Sequence, residues 1–285
     1  MRIARRALTV GLASALAAPR TRADSPSDAG SPPLLGADLV ELRTLRLEHE
    51  VVVALPRAPA APVPLVVLLH GLAETSDEHA GSRAWVDRYG LTTSIGRLHH
   101  APLGLVSARD DWGSSLASTN TALGAHPYRG LGIACPYVPR MSSGKLDAFG
   151  EWIARDLIPR VRADAGDRLD ASPARVGGCS YGGWVSLEVF LRAPGRFHAW
   201  AGIQTAIAHE AAAAYADRMA RIAAGVPLLI ETSTRDPFHD ANVAFAGMLR
   251  ARSVPCDLVV LPGPHDQAWL REAGTPSALA WLDRS

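Results

Sequence analysis

The chain has 285 residues, 48% hydrophobic and 20% charged, with 29 basic residues against 28 acidic ones. That length carries one large α/β domain with a substantial core, and the composition is ordinary for a globular protein. The charge balance argues against nucleic acid as a partner. Lys145 is the only lysine, and the arginines are scattered rather than clustered.

Residues 1–23 have the pattern of an export signal. Arg2, Arg5 and Arg6 are basic, Ala7 to Ala18 is apolar, and Thr21-Arg22-Ala23 is an acceptable small-residue cleavage site. The apolar run is too short to span a bilayer, so no stable membrane insertion is expected. Removal would take five arginines and no acid, moving the formal charge from +1 to −4. Residues 24–36 read as a flexible linker, and 37–285 as the folded domain. Export to the periplasm or medium is the expectation.

Val40 to Leu47 and Glu50 to Leu55 alternate as two antiparallel strands. Leu65 to Leu69 is a continuous apolar run, suited to a strand buried on both faces. A helix is expected over Ser82–Leu98. Arg109 to Trp112 reads as a surface loop, followed by a helix over 114–123. Leu131 to Cys135 is the next strand. Leu146, Phe149, Ile153 and Leu157 mark one helical face, and Pro159 ends or kinks that helix.

Ala174 to Cys179 is a strand and Trp184 to Leu191 a helix. Strands follow at 199–204, 227–232 and 257–261, with helices at 210–223, 242–250 and 277–282. Strands alternating with helices after an antiparallel start give a mostly parallel sheet covered by helices on both faces. Cys135, Cys179 and Cys256 sit in apolar stretches and read as small buried hydrophobes. The pair His99-His100 reads as a partly exposed helix end rather than a metal site.

Between the 174–179 strand and its helix lies Gly178-Cys179-Ser180-Tyr181-Gly182, the nucleophile-elbow spacing. A serine on so tight a turn stands clear of the sheet, and the residues two before and two after must be small. In a parallel sheet, function gathers beyond the carboxyl ends of the strands. The 65–69 strand exits into His70-Gly71-Leu72, and the 227–232 strand into Ser233-Thr234-Arg235-Asp236. The 257–261 strand exits into Pro262-Gly263-Pro264-His265-Asp266. A serine, an acid and a histidine thus leave one sheet edge in the order Ser…Asp…His.

The chemistry assigns the roles. Ser180 would attack an acyl carbonyl, and His265 would take its proton. Asp236 would fix the histidine tautomer and stabilise the imidazolium. Glu231 and Asp240 remain alternatives for the acid. The oxyanion donors would be the N–H groups of Tyr181 and Leu72. His70 reads as orienting its loop. Tyr181, Trp112 and Trp269 are candidates for a pocket wall or for the core. No cofactor and no metal are required.

The order and placement of these residues resemble the α/β-hydrolase fold over residues 40–283. Within it the chain looks most like the esterases that include feruloyl, acetyl-xylan and S-formylglutathione esterases. Leu157-Ile158-Pro159 before the elbow and Gly263-x-His265-Asp266…Trp269 carry that closer likeness. The resemblance implies a serine carboxylesterase acting on a small-molecule or polysaccharide-linked ester through an acyl-enzyme. A peptidase, a lipase or an acyltransferase would keep the same residues. A large lipase lid is disfavoured, because only about twenty residues separate the 199–204 and 227–232 strands. A non-catalytic binding protein on the same fold is the alternative from another class. Acyl and alcohol specificity and oligomeric state are not legible.

Overall fold

The apolar runs pair into one eight-stranded sheet in the computed structural model of the protein, which describes residues 36–105, 113–193, 195–222 and 225–285. The expected leader at 1–23, all but the last residue of the expected linker, and Trp112 lie outside the described residues. The strands are β1 (Val40–Arg46), β2 (Glu50–Pro56), β3 (Leu65–Leu69), β4 (Gly132–Pro136), β5 (Ala174–Cys179), β6 (Phe197–Ile203), β7 (Leu228–Arg235) and β8 (Asp257–Pro264). They lie in the order β1-β2-β4-β3-β5-β6-β7-β8. β2 runs antiparallel to β1 and β4, and every other pairing is parallel.

The central strands β3 and β5 are buried along their whole length. Side chains alternate across a strand, so each strand feeds two cores. Leu65, Val67 and Leu69 pack on one face with Val185, Phe190 and Phe245. Val66 and Leu68 pack on the other with Trp85, Leu279 and Leu282. Both faces therefore need a helical cover, which is why the apolar runs of β3 and β5 show no polar alternation.

Three expectations are corrected. The helix read through 82–98 is three short pieces, Glu78–Ser82, Ala84–Asp87 and Leu91–His99. Gly90 takes a left-handed conformation with φ 72° and breaks the run. At Pro159, where an end or a kink is expected, the helix does not end. A wider π turn over Ile153–Leu157 leads directly into a helix over Ile158–Ala165 with Pro159 at its start, so the helical path continues through the proline.

The third correction concerns β7 and β8, which run past their expected ends at Thr232 and Leu261 to Arg235 and Pro264. Pairing continues to Arg235↔Pro264 through an irregularity at Ser233–Arg235. Thr234 Oγ1 accepts the Gly263 N–H at 3.2 Å there. Asp236 and His265 are therefore the first residues beyond the paired ends of two neighbouring strands.

Candidate active site

Ser180 has φ 53° and ψ −117°, a conformation costing about 1–3 kcal/mol for a residue with a side chain. The surrounding backbone over-determines it. Its N–H donates to Ile203 O at 2.9 Å, and its carbonyl accepts from Trp184 N at 3.1 Å and Ala206 N at 3.0 Å. The flanking glycines are required by close approach. A Cβ on Gly178 would lie 2.7 Å from Leu69 O, and one on Gly182 would collide with the Leu69 and His70 carbonyls. The elbow is thus pressed against the exit of β3.

His265 Nε2 lies 3.0 Å from Ser180 Oγ, and His265 Nδ1 lies 2.8 Å from Asp236 Oδ1. The acid is itself held: Thr232 Oγ1 donates to Oδ2 at 2.6 Å and Phe238 N–H to Oδ1 at 3.0 Å. The Asp236 side chain is fully buried while that of His265 is 26% exposed. The acid is sealed from water and the histidine is reachable, so the chain of hydrogen bonds opens outward at Ser180.

The end of β8 and the segment after it explain how His265 is aimed. Gly263 has φ 140°, and the Trp269 indole occupies the space a Cβ would take. Trp269 Nε1 donates to Pro262 O at 3.0 Å, and Asp266 caps the next turn by accepting Trp269 N–H at 2.7 Å. Trp269 is fully buried, and Tyr181 is nearly so, its hydroxyl accepting Met141 N–H at 2.6 Å. Both side chains belong to the buried core.

The alternative acids do not reach the histidine. Asp240 is 93% exposed and pairs with His239. Glu231 is fully buried one layer down on β7, and burial pushes its carboxyl up to about 8 against a weak opposing pull from Ser277.

Leu72 and Tyr181 each open a helical turn, over Leu72–Glu74 and Tyr181–Arg192. The first N–H groups of such turns have no intrahelical partner, and the longer helix adds its positive end at the serine. His70 orients its loop: its Nε2 accepts Val138 N–H at 2.8 Å, so its Nδ1–H donates to Gly71 O at 2.8 Å. Burial holds its pKa below the ordinary histidine range, which keeps that tautomer neutral.

The sequence reading missed Gln204. It follows β6 with φ 47° and is almost fully buried. Its Nε2 donates to Ser233 Oγ at 2.7 Å and Pro264 O at 3.0 Å, bracing the exits of β7 and β8 beneath His265. A lone amide directly after the apolar run Trp200 to Ile203 was the available signal. Cys135 and Cys179 are buried and Cys256 is half-buried, all three as free thiols. His99 closes its helix at the surface. Among the described residues no His, Cys, Asp or Glu cluster is arranged to hold a metal ion, and no helix is long and apolar enough to cross a membrane.

The chain matches no protein-family model and no curated protein sequence. Solved structures do resemble it. A ferulic acid esterase aligns with TM-score 0.62 and 16% identity over 86% of this chain and 97% of that one. An S-formylglutathione hydrolase from Staphylococcus aureus aligns with TM-score 0.54 and 17% identity over 85% and 96%. The enterobactin esterase from Shigella flexneri aligns with TM-score 0.58 and 16% identity over 88% of this chain but 63% of that one. At such identities the likeness speaks for the fold. Together with the strand order and the elbow, it defines this protein as having the α/β-hydrolase fold.

Proposed function

We propose that the protein is a serine carboxylesterase. The observation that carries this is the hydrogen-bonded chain Ser180 Oγ, His265, Asp236 at the carboxyl edge of the sheet, with a strained serine at its open end. The fold neighbours differ in the substrates their names give and agree in hydrolysis.

On this reading Ser180 Oγ attacks the ester carbonyl while His265 Nε2 takes its proton. The tetrahedral oxyanion accepts hydrogen bonds from the Tyr181 and Leu72 N–H groups. Asp236 holds the imidazolium. His265 returns the proton to the leaving alcohol, and the acyl-enzyme forms. Water, deprotonated by the same histidine, then releases the acid and restores Ser180. No cofactor takes part. Export after loss of residues 1–23 belongs to the same proposal and rests on the basic, apolar and small-residue pattern there. N-terminal sequencing of the secreted protein tests it.

The test of the chemistry is hydrolysis of p-nitrophenyl acetate and butyrate by the purified protein beside Ser180→Ala. Loss of the nucleophile should lower kcat by about 10⁴ to 10⁶. Activity in the variant within about tenfold of the parent would remove Ser180 from the mechanism.

A further inference from the structure

Glu74 closes the turn Leu72–Glu74 and is only 2% exposed. Its Oε2 accepts the Tyr89 hydroxyl at 2.7 Å, and its Oε1 accepts Arg88 Nη1 at 3.2 Å and Gln267 Nε2 at 3.5 Å. The Tyr89 oxygen in turn accepts the Gly71 N–H at 3.2 Å. Burial raises the Tyr89 pKa, so the hydroxyl keeps its proton and points it at Glu74. Cys179, the residue before Ser180, lies beside the same hydroxyl.

Gly71 is thus held through both of its peptide groups. Its N–H is held by Tyr89, and its carbonyl by His70. In a trans peptide the N–H points opposite to the C=O. Fixing the Gly71 carbonyl on His70 therefore fixes the Leu72 N–H on the far side.

The same pair is tied to the histidine segment. Arg271 Nη1 donates to Arg88 O at 2.9 Å, and Thr275 Oγ1 donates to Tyr89 O at 2.7 Å. Gln267, two residues after His265, reaches Glu74 directly. We propose that Glu74 and Tyr89 are positioning residues: one buried node that holds the His70–Gly71 peptide, steadies through it the next peptide unit that carries the Leu72 N–H, and locks this turn to the segment carrying His265. The catalytic half of this inference rests on the esterase reading. The positional half does not.

The experiment uses Tyr89→Phe, which deletes one oxygen, with Glu74→Ala, Glu74→Gln and, as a remote buried tyrosine, Tyr128→Phe. Two readouts are taken: kcat and KM on p-nitrophenyl butyrate, and hydrogen exchange of the backbone over residues 70–76. Tyr89→Phe and Glu74→Ala should lower kcat about 10- to 100-fold with KM within about threefold, because a misaimed oxyanion donor acts on the transition state. Glu74→Gln keeps an acceptor for Tyr89 and should recover most of that loss, and Tyr128→Phe should match the parent. Exchange over 70–76 should quicken in Tyr89→Phe and Glu74→Ala alone. A kcat within about twofold of the parent in Tyr89→Phe, or a loss carried by KM, would overturn the catalytic half. Unchanged exchange over 70–76 would overturn the positional half. A parent that hydrolyses no ester would sink the esterase reading and the catalytic half with it, while exchange would still decide the positional one.

Discussion

Asp236 Oδ1 sits 2.8 Å from His265 Nδ1, although the two are 29 residues apart and lie on neighbouring strands. The contact exists because β7 and β8 stay paired to Arg235↔Pro264, which delivers the next residue of each strand to the same point. Asp236→Asn would offer the histidine an amide in place of a carboxylate. Its kcat on p-nitrophenyl esters should fall by roughly 10³ to 10⁴. Asp240→Asn, at an exposed carboxylate, should stay within about twofold. Equal losses in the two variants would return the choice of acid to the open question it is in the sequence.

Leu72 offers a way to delete a backbone donor. Gly71 before it has φ −70° and ψ 179°, a conformation a following proline accepts, and Leu72 is the first residue of its turn. Leu72→Pro therefore removes one N–H from a position where proline is tolerated. If that N–H binds the oxyanion, kcat should drop about 10²- to 10³-fold, beside a loss of thermal stability from the Leu72 side chain's packing on the core. Parent-like kcat in a folded Leu72→Pro protein would rule this donor out.

Glu231 should make stability depend on pH. Its folded pKa of about 8 lies above the 4.5 of an ordinary glutamate, so between those values the folded state holds a proton that the unfolded chain has released. The stabilisation is complete below the unfolded value and is lost as pH rises through the folded one. Glu231→Gln stays neutral throughout. Relative to the parent it should gain up to about 4 kcal/mol at pH 8 and under about 1 kcal/mol at pH 5. Urea denaturation of both proteins at the two pH values checks this, and a pH-independent difference would contradict it.

Two glycines should respond in opposite directions to alanine. Gly247 lies exposed inside the helix His239–Ala251, with open space where a Cβ would go. Gly247→Ala should raise stability by about 0.5–1 kcal/mol through the unfolded chain's lost freedom and better helix propensity. At Gly182 the new Cβ would meet two backbone carbonyls of β3's exit. Those cannot swing aside as a side chain can, so Gly182→Ala should destabilise the protein and displace Ser180. Thermal melts of the two variants, with esterase rates for the second, measure both effects.

Local chemistry determined much of this protein from sequence alone. The doubly buried strands announce themselves as unbroken apolar runs, because a strand covered on both faces has no polar side to show. The elbow is legible because its glycines answer a steric demand confined to five residues. Ser180, Asp236 and His265 are legible as residues that leave strand ends.

What the sequence left undecided are matters of distance between segments far apart in the chain. Asp236, Glu231 and Asp240 have the same chemistry within ten residues, and only the β7–β8 register puts the first against His265 and leaves the second in the core and the third in solvent. Gln204 and the Glu74–Tyr89 pair act through hydrogen bonds to residues 14 to 193 positions away. Such partners leave no local pattern. A hydrogen bond forms only when donor and acceptor come within about 3.5 Å, and in this chain it is the packing of the sheet exits that brings them there.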